Sequence, residues 1–320
     1  MDEMKNLAIQ ASEVGAKGIV LTGGEPTLIK HEVLCNFFRF IKEETLIKNI
    51  RIVTNGHWAK SYEKAYSILK EWKKAGLDEL NVSCGEFHQE FIPIKNIAHA
   101  YKAGCALDYS TVLVAGEFTK SKREHKLTPY NFEKELECRI KYHYECSPFV
   151  NKKQAINCNC AFHYGRGKNH IKPEDIPLTK YENIPNTCSH TISSLSFHPD
   201  GIVTLCCGVG VRDVTFLDIG NWREESLQTI LTRSDNDLFA NLIRFYGLKA
   251  LKEKIMAIHP ELGLSHKLNY TGQCELCFEL FTNNKVLDYL NSNGSELEDE
   301  LVTKKVMHLS TIYSPKYVYQ

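Results

Sequence analysis

The chain has 320 residues, with 39 Lys and Arg against 39 Asp and Glu, so its formal net charge is zero. That balance advertises no polyanion, and no nucleic-acid partner is expected. Apolar stretches fall short of a membrane span and no signal peptide precedes the helical opening Met1-Asp2-Glu3-Met4, so no membrane partner is expected and a cytoplasmic setting is. Twelve cysteines are many for a reducing compartment and point to metal or cluster chemistry rather than disulfides.

The first half repeats a strand–helix unit. An amphipathic helix over Met1–Val14 leads to apolar runs at Gly18–Leu21, Ile50–Val53, Glu79–Ser83 and Ser110–Val114. Ala65, Ile68, Leu69 and Trp72 share one face of a helix that should stop at Gly76. Ile94, Ile97, Ala98 and Tyr101 share another, expected to stop at Gly104. A fifth strand is expected at Ala155–Phe162 after an irregular insertion, Glu117–Lys153. One helix per gap is the βα unit of a parallel sheet. Cys35 falls in the helical pattern of Val33, Leu34, Phe37, Phe38 and Ile41, Cys105 follows the expected helix end at Gly104, and both read as packing residues.

The loops after the strands carry the chemistry. They read Thr22–Thr27, Thr54-Asn55-Gly56-His57, Cys84-Gly85-Glu86-Phe87-His88 and Gly116-Glu117. In parallel α/β proteins ligands sit at the carboxyl ends of the strands. The first loop, Gly23-Gly24-Glu25-Pro26, brings backbone N–H groups close to a ligand and adds a fixed carboxylate. It suits a zwitterionic amino acid, with N–H groups for the carboxylate and Glu25 for the ammonium. A tight strand-to-helix turn is the plainer reading of the same residues.

The full string resembles the S-adenosylmethionine-binding GGEP loop of radical SAM enzymes, and the resemblance runs from about Met1 to Phe162. It implies a partial (β/α)6 TIM-like barrel, here lacking its first strand. It implies that Gly23, Gly24 and Glu25 hold the methionine part of S-adenosylmethionine, with Pro26 shaping the loop. Thr54 and Asn55 match the strand ending beside the cofactor, and Ser83 stands where a polar residue meets the ribose. Tyr164-Gly165-Arg166-Gly167 resembles a sixth-strand ending in which Arg166 lies near the cofactor; a solvated turn is its alternative. His57, His88 and Glu117 line the same end without an assigned role, and no catalytic acid, base or radical-stabilising residue is assigned.

The sequence departs from that family in one respect. The Cys-x3-Cys-x2-Cys loop, whose thiolates hold the radical-generating [4Fe–4S] cluster, is absent from the 320 residues. Two explanations compete: an enzyme represented without its amino-terminal strand and loop, or a catalytically silent relative. The first is favoured, because losing an edge strand would expose sheet and core.

Past residue 170 the pattern changes. Ser194–Phe197 and Ile202–Cys206 flank the hairpin turn His198-Pro199-Asp200-Gly201; Asp218–Trp222 reads as another turn, followed by a helix over Glu224–Leu231. Cys188 precedes the hairpin, Cys206 ends it, and Cys274-Glu275-Leu276-Cys277 follows later. This resembles the SPASM or twitch auxiliary-cluster domains of radical SAM proteins. The resemblance implies one auxiliary [4Fe–4S] cluster on Cys188, Cys206, Cys274 and Cys277, with Cys207 the alternate to Cys206. A structural zinc on the same sulfurs is the alternative. Cys138, Cys146, Cys158 and Cys160 form a looser group, read as unpaired thiols.

The expected organisation is a partial barrel over 1–170, a small α+β auxiliary-cluster domain over 171–290 and a solvated helix or tail over 291–320. The expected activity is one-electron cleavage of S-adenosylmethionine to a 5′-deoxyadenosyl radical that modifies a peptide or small-molecule substrate. The expected partners are that substrate and a reductant such as flavodoxin or ferredoxin. The alternative is a silent iron–sulfur or zinc-binding partner protein.

Overall fold

A computed structural model describes residues 1–85, 87–119, 134–137, 141–142, 154–160, 167–176, 178–208 and 210–312. The chain divides into two compact units, Met1–His163 with Asn169–Pro177, and Tyr164–Lys168 with Leu178–Gln320.

The first unit is an α/β layer. Six strands, β1 (Gly18–Leu21), β2 (Asn49–Thr54), β3 (Glu79–Gly85), β4 (Thr111–Phe118), β5 (Lys141–Tyr142) and β6 (Gln154–Cys160), form one sheet in the order β1-β2-β3-β4-β6-β5. Among the described residues its strands all pair in parallel. Helices α1 (Asp2–Glu13), α2 (His31–Glu44), α3 (Tyr62–Ala75) and α4 (Ile94–Ala106) alternate with the first four strands, and each packs on the next. Sequential strands joined by crossovers of one hand place the helices on one face. Ile50, Ile52, Leu80, Val82, Val112 and Val114 point into that helical layer and are buried.

The opposite face carries a different set. Arg51 and Val53 on β2, Asn81 and Ser83 on β3, and Leu113 and Ala115 on β4 are half-buried there. At the amino-terminal end of this face Arg51 Nε donates to Glu79 Oε2 at 2.6 Å, and Asn49 donates to the other carboxylate oxygen. β1 is an edge strand, and Val20 on it is 50% exposed.

Local signals explain most element ends. Ser61 caps α3 by accepting from Lys64 N, and Gly76 ends it at φ +113°. Gly104 does not end α4, which continues to Ala106. A β-carbon there would meet Val112 and Leu80 at 3.2–3.3 Å, so this glycine permits close helix–sheet packing. Cys35 is buried on α2, and Cys105 lies inside α4. Ile171 and Ile176 pack with Phe87, which ties 169–177 to this unit.

In the second unit the short strands β8 (Ser196–Phe197) and β9 (Ile202–Thr204) form the expected hairpin. The stretch read as a turn at Asp218 is instead a third antiparallel strand, β10 (Asp218–Asn221), paired with β9 across an irregularity at Gly220. The following helix begins later than expected, spanning Leu227–Asp235, because Ser226 caps it by accepting from Thr229 N. β9 ends at Thr204, so Cys206 and Cys207 lie in the turn beyond the strand. A two-stranded ribbon pairs β11 (Asn269–Tyr270) with β7 (Thr179–Lys180).

The C-terminal stretch is more than a solvated tail. A helix over Asn284–Asn293 and a 3₁₀ turn over Gly294–Leu297 lead into a helix over Glu298–Ile312. Leu297 and Leu301 are buried in the core of the second unit, and Tyr246 Oη donates to Glu300 Oε2 at 2.6 Å. The acidic pattern is confined to the outer side, where Val302 is 60% exposed. Leu297→Ala should therefore lower unfolding stability by about 2–4 kcal/mol, whereas Val302→Ala should change it by less than about 0.5 kcal/mol. Denaturant unfolding followed by circular dichroism checks both.

Candidate functional site

The carboxyl ends of β1 and β2 meet through one side chain. Glu25 leaves β1 in an extended conformation and caps the 3₁₀ turn Pro26–Leu28. Its Oε1 accepts from Thr27 N at 3.1 Å, Thr27 Oγ1 at 2.5 Å and Thr54 Oγ1 at 2.8 Å. Its Oε2 accepts from Asn55 N at 2.7 Å. Thr54 Oγ1 in turn accepts from Trp58 Nε1 at 3.0 Å and Gly56 N at 3.2 Å. Asn55 Oδ1 accepts from His57 N at 3.0 Å and closes an Asx turn.

These bonds give Glu25 a structural role that the sequence reading does not include. Four protein donors face a carboxylate that offers about four lone-pair sites. Glu25 is a strut between two loops. No local sequence signal marks this role, because the donors at Thr54 and Asn55 are about thirty residues away in the chain.

The glycines before it have different reasons to be glycine. Gly23 holds φ +113°, which L side chains rarely adopt. Gly24 does not, and a β-carbon there would meet nothing within 4 Å. Among the described residues neither a positive φ nor packing requires glycine at position 24. Pro26 is buried behind the loop. Ser83 lies on β3 opposite Ala115, with no protein hydrogen bond to its hydroxyl among the described residues. Arg166 lies outside the described residues, as do Cys138 and Cys146.

In the second unit four thiols approach one another from three segments. Cys274 and Cys277 sit three residues apart on the helix Gln273–Phe281 and so share a face. Gln273 Nε2 donates to Pro185 O at 2.8 Å and Thr187 O at 2.9 Å, tying that helix start to the loop before Cys188. Ile192 N donates to Leu205 O, tying the Cys188 loop to the strand before Cys206. A β-carbon at Gly208 would lie 3.3 Å from Cys206 Sγ and 3.4 Å from Cys274 Sγ, so glycine there lets the two sulfurs converge. Gly208 N also donates to Cys206 Sγ at 3.4 Å. Nothing in its sequence position marked Gln273 for this task.

Burial pushes the Cys206 thiol up to about 12, with Cys274, Cys188 and Cys207 adding to the rise against the Gly208 N–H. Burial also raises Cys277 well above the ordinary thiol range, reinforced by Cys274, Cys206 and Cys188. These four sulfurs thus feel one another. Cys207 is exposed, and among the other thiols only Cys188 contributes to its smaller rise. No three His, Cys, Asp or Glu side chains among the described residues are arranged to hold a single metal ion. One tetrahedral zinc draws four sulfurs to about 2.3 Å from a common point. A cluster spreads its ligands further, because each sulfur binds a different iron. Four converging thiols are a donor set that either a cluster or a zinc ion could use.

Comparison with known proteins bears on the chain only in part. No family model matches it. The GTP 3′,8-cyclase of Limosilactobacillus fermentum is 33% identical over 121 residues, 38% of this chain and 33% of that protein. The GTP 3′,8-cyclase of Haemophilus influenzae is 37% identical over 97 residues, 28% of this chain and 26% of that protein. The one from Cronobacter sakazakii is 31% identical over 83 residues, 26% and 23% of the two chains. The chain thus spans about a quarter to a third of the length of these curated relatives. These similarities support the radical SAM resemblance. The structure of coproporphyrinogen III oxidase from Escherichia coli, a radical SAM enzyme, superposes with a TM-score of 0.38 at 13% identity, covering 55% of this chain and 40% of that one; so low a score carries no argument.

Glu25→Gln tests the strut directly. Either orientation of the amide turns an NH2 toward protein donors, which should lower the stability of the first unit by about 1–3 kcal/mol. Urea unfolding followed by tryptophan fluorescence reads this through Trp58, whose indole N–H bonds Thr54.

Proposed function

We propose that this chain is the S-adenosylmethionine-holding part of a radical SAM enzyme, with a SPASM- or twitch-like auxiliary-cluster domain in its second half. The observation that carries the reading is the Glu25 strut, which locks the glycine loop after β1 to Thr54 and Asn55 after β2 and leaves open space above Gly24. In this reading the singly wound sheet is a partial barrel and its helix-free face is the inner wall. Backbone groups of Gly23 and Gly24 hold the methionine part, and Ser83 meets the ribose.

S-adenosylmethionine supplies a 5′-deoxyadenosyl radical when a reduced [4Fe–4S] cluster gives it one electron. The thiolates for that cluster belong to a Cys-x3-Cys-x2-Cys loop that these 320 residues do not carry. The open edge of β1, with Val20 half-exposed, suits a further parallel strand that would bring such a loop beside Gly24. The residues here bind and orient; the electron comes from a flavodoxin or ferredoxin. A peptide or protein is the preferred substrate by analogy with relatives that carry auxiliary clusters. The GTP 3′,8-cyclase similarity brings a nucleotide into view beside it. Cys188, Cys206, Cys274 and Cys277 hold the auxiliary [4Fe–4S] cluster, with Gly208 N–H bonding the Cys206 sulfur.

The absent triad favours a second reading, a silent relative that binds metal and a partner but makes no radical. Two measurements separate the readings and test the first. Incubated anaerobically with S-adenosylmethionine and dithionite, this chain should release no methionine or 5′-deoxyadenosine, and a version extended by a strand and the triad loop should release both. Inertness of the extended version favours the silent relative, while cleavage by the present chain contradicts the need for the triad. After anaerobic purification, Cys206→Ala or Cys277→Ala should lose bound iron and its visible absorption, and Cys207→Ala should keep both. A colourless protein loaded with zinc would rule out the cluster.

A further inference from the structure

One histidine stands where the glycine loop returns to the helical layer. His31 is the first residue of α2, and Lys30 before it makes no side-chain cap bond. Trp72 Nε1 of α3 donates to His31 Nδ1 at 3.0 Å. With Nδ1 accepting, the proton of the neutral ring sits on Nε2. That nitrogen donates to Glu71 Oε2 at 2.7 Å, and Cys35 Sγ, one turn along α2, lies 3.6 Å from it.

The two partners of His31 differ in weight. Glu71 is 60% exposed, so its contact competes with water. Trp72 is 2% exposed, and leaving its indole N–H without an acceptor would be costly. The Trp72 bond is therefore the anchor. It holds one end of residues 25–31, and the bonds from Thr54 and Asn55 to Glu25 hold the other. Both ends are thus tied to β2 and α3, and Trp58 between those elements joins the two anchors. It donates to Thr54 Oγ1 and meets the Trp72 ring edge-on at 5.0 Å. Between the anchors only Pro26 is buried, and Leu28 is 76% exposed, so packing does little to set the course of this segment. A helix start without a cap frays unless something else holds it.

We propose that His31 is a positioning residue for the glycine loop, acting through Trp72. It fixes the return from Glu25 to α2, and with it the direction in which Gly23 and Gly24 present their backbone. The inference rests on the reading that this loop holds S-adenosylmethionine. The task needs one atom, an acceptor at the place of Nδ1. Asparagine carries its carbonyl oxygen the same number of bonds from the backbone as Nδ1, whereas glutamine carries it one bond further, as far as Nε2. A residue needed only to fill space would not distinguish these two amides.

The test compares the 320-residue chain with His31→Leu, His31→Gln and His31→Asn by amide hydrogen exchange. The Thr27 and Asn55 backbone N–H groups, both bonded to the Glu25 carboxylate, read the loop. Val112 and Val114 on β4 read global opening of the same unit. His31→Leu and His31→Gln should speed exchange of the first pair by at least about tenfold relative to the second, and His31→Asn should stay within about twofold of wild type. Affinity for S-adenosylmethionine, measured by calorimetry, should fall at least about fivefold in His31→Leu and His31→Gln and no more than about twofold in His31→Asn. Equal loosening by the two amides, loosening of β4 to the same extent as the loop, or an unaltered loop in His31→Leu overturns the proposal. So does equal binding of S-adenosylmethionine by wild type and His31→Leu. Exchange needs no cofactor, so it decides the role of His31 by itself. A wild-type chain that binds no S-adenosylmethionine overturns the cofactor reading instead.

Discussion

The carboxylate of Glu25 is the constraint on which the first unit's working end depends. It takes two donors from its own turn and two from the end of the neighbouring strand. Removing it would leave Thr54 Oγ1 and Asn55 N facing no acceptor at a position where Thr54 is almost wholly buried. The connection runs on through Thr54 to the indole of Trp58, and Trp58 meets Trp72 edge-on at 5.0 Å between rings. The glycine loop is thereby tied to the helical layer behind the sheet. Such a loop can present open glycine backbone without being loose.

A comparable economy operates in the second unit, where three separate segments supply four thiols. Gln273 links the helix of Cys274 and Cys277 to the approach to Cys188, and Gly208 leaves room between Cys206 and Cys274. The same helix is clamped at its far end. Lys252 Nζ lies 3.0 Å from Glu279 Oε2, and Tyr270 Oη donates to that oxygen at 2.5 Å. Burial works against the Glu279 carboxylate, but bonds from Ser265, Tyr270 and Lys252 outweigh it and hold its pKa below the usual range. The cysteines are positioned by packing and by backbone-directed hydrogen bonds rather than by one another.

The sheet was legible because a parallel strand announces itself in an apolar run and a following turn. The apolar run Gly18–Leu21 coincides with its strand, and Asn49–Thr54, Glu79–Gly85, Thr111–Phe118 and Gln154–Cys160 lie within a few positions of theirs. The errors have local causes. Gly104 looked like a stop but serves helix–sheet contact. Asp218–Asn221 looked like a turn because Asp, Gly and Asn dominate it, yet pairing with β9 overrides that preference. The acidic run after Glu296 concealed Leu297 and Leu301, whose burial only the tertiary structure decides. At the site, residue types were legible and their roles were not. Glu25 bonds across about thirty residues of sequence, and the emptiness above Gly24 is a property of the fold.

The central claim is that the glycine loop is shaped for a ligand rather than for itself, and Gly24 isolates it. Alanine at this position meets nothing among the described residues and needs no forbidden backbone angle, so Gly24→Ala should leave unfolding stability within about 0.5 kcal/mol of wild type. Calorimetric titration with S-adenosylmethionine should show binding to the wild-type chain and at least about tenfold weaker binding to Gly24→Ala, a difference of about 1.4 kcal/mol. A wild-type chain that does not bind S-adenosylmethionine, or a Gly24→Ala chain that binds it equally well, would contradict the account.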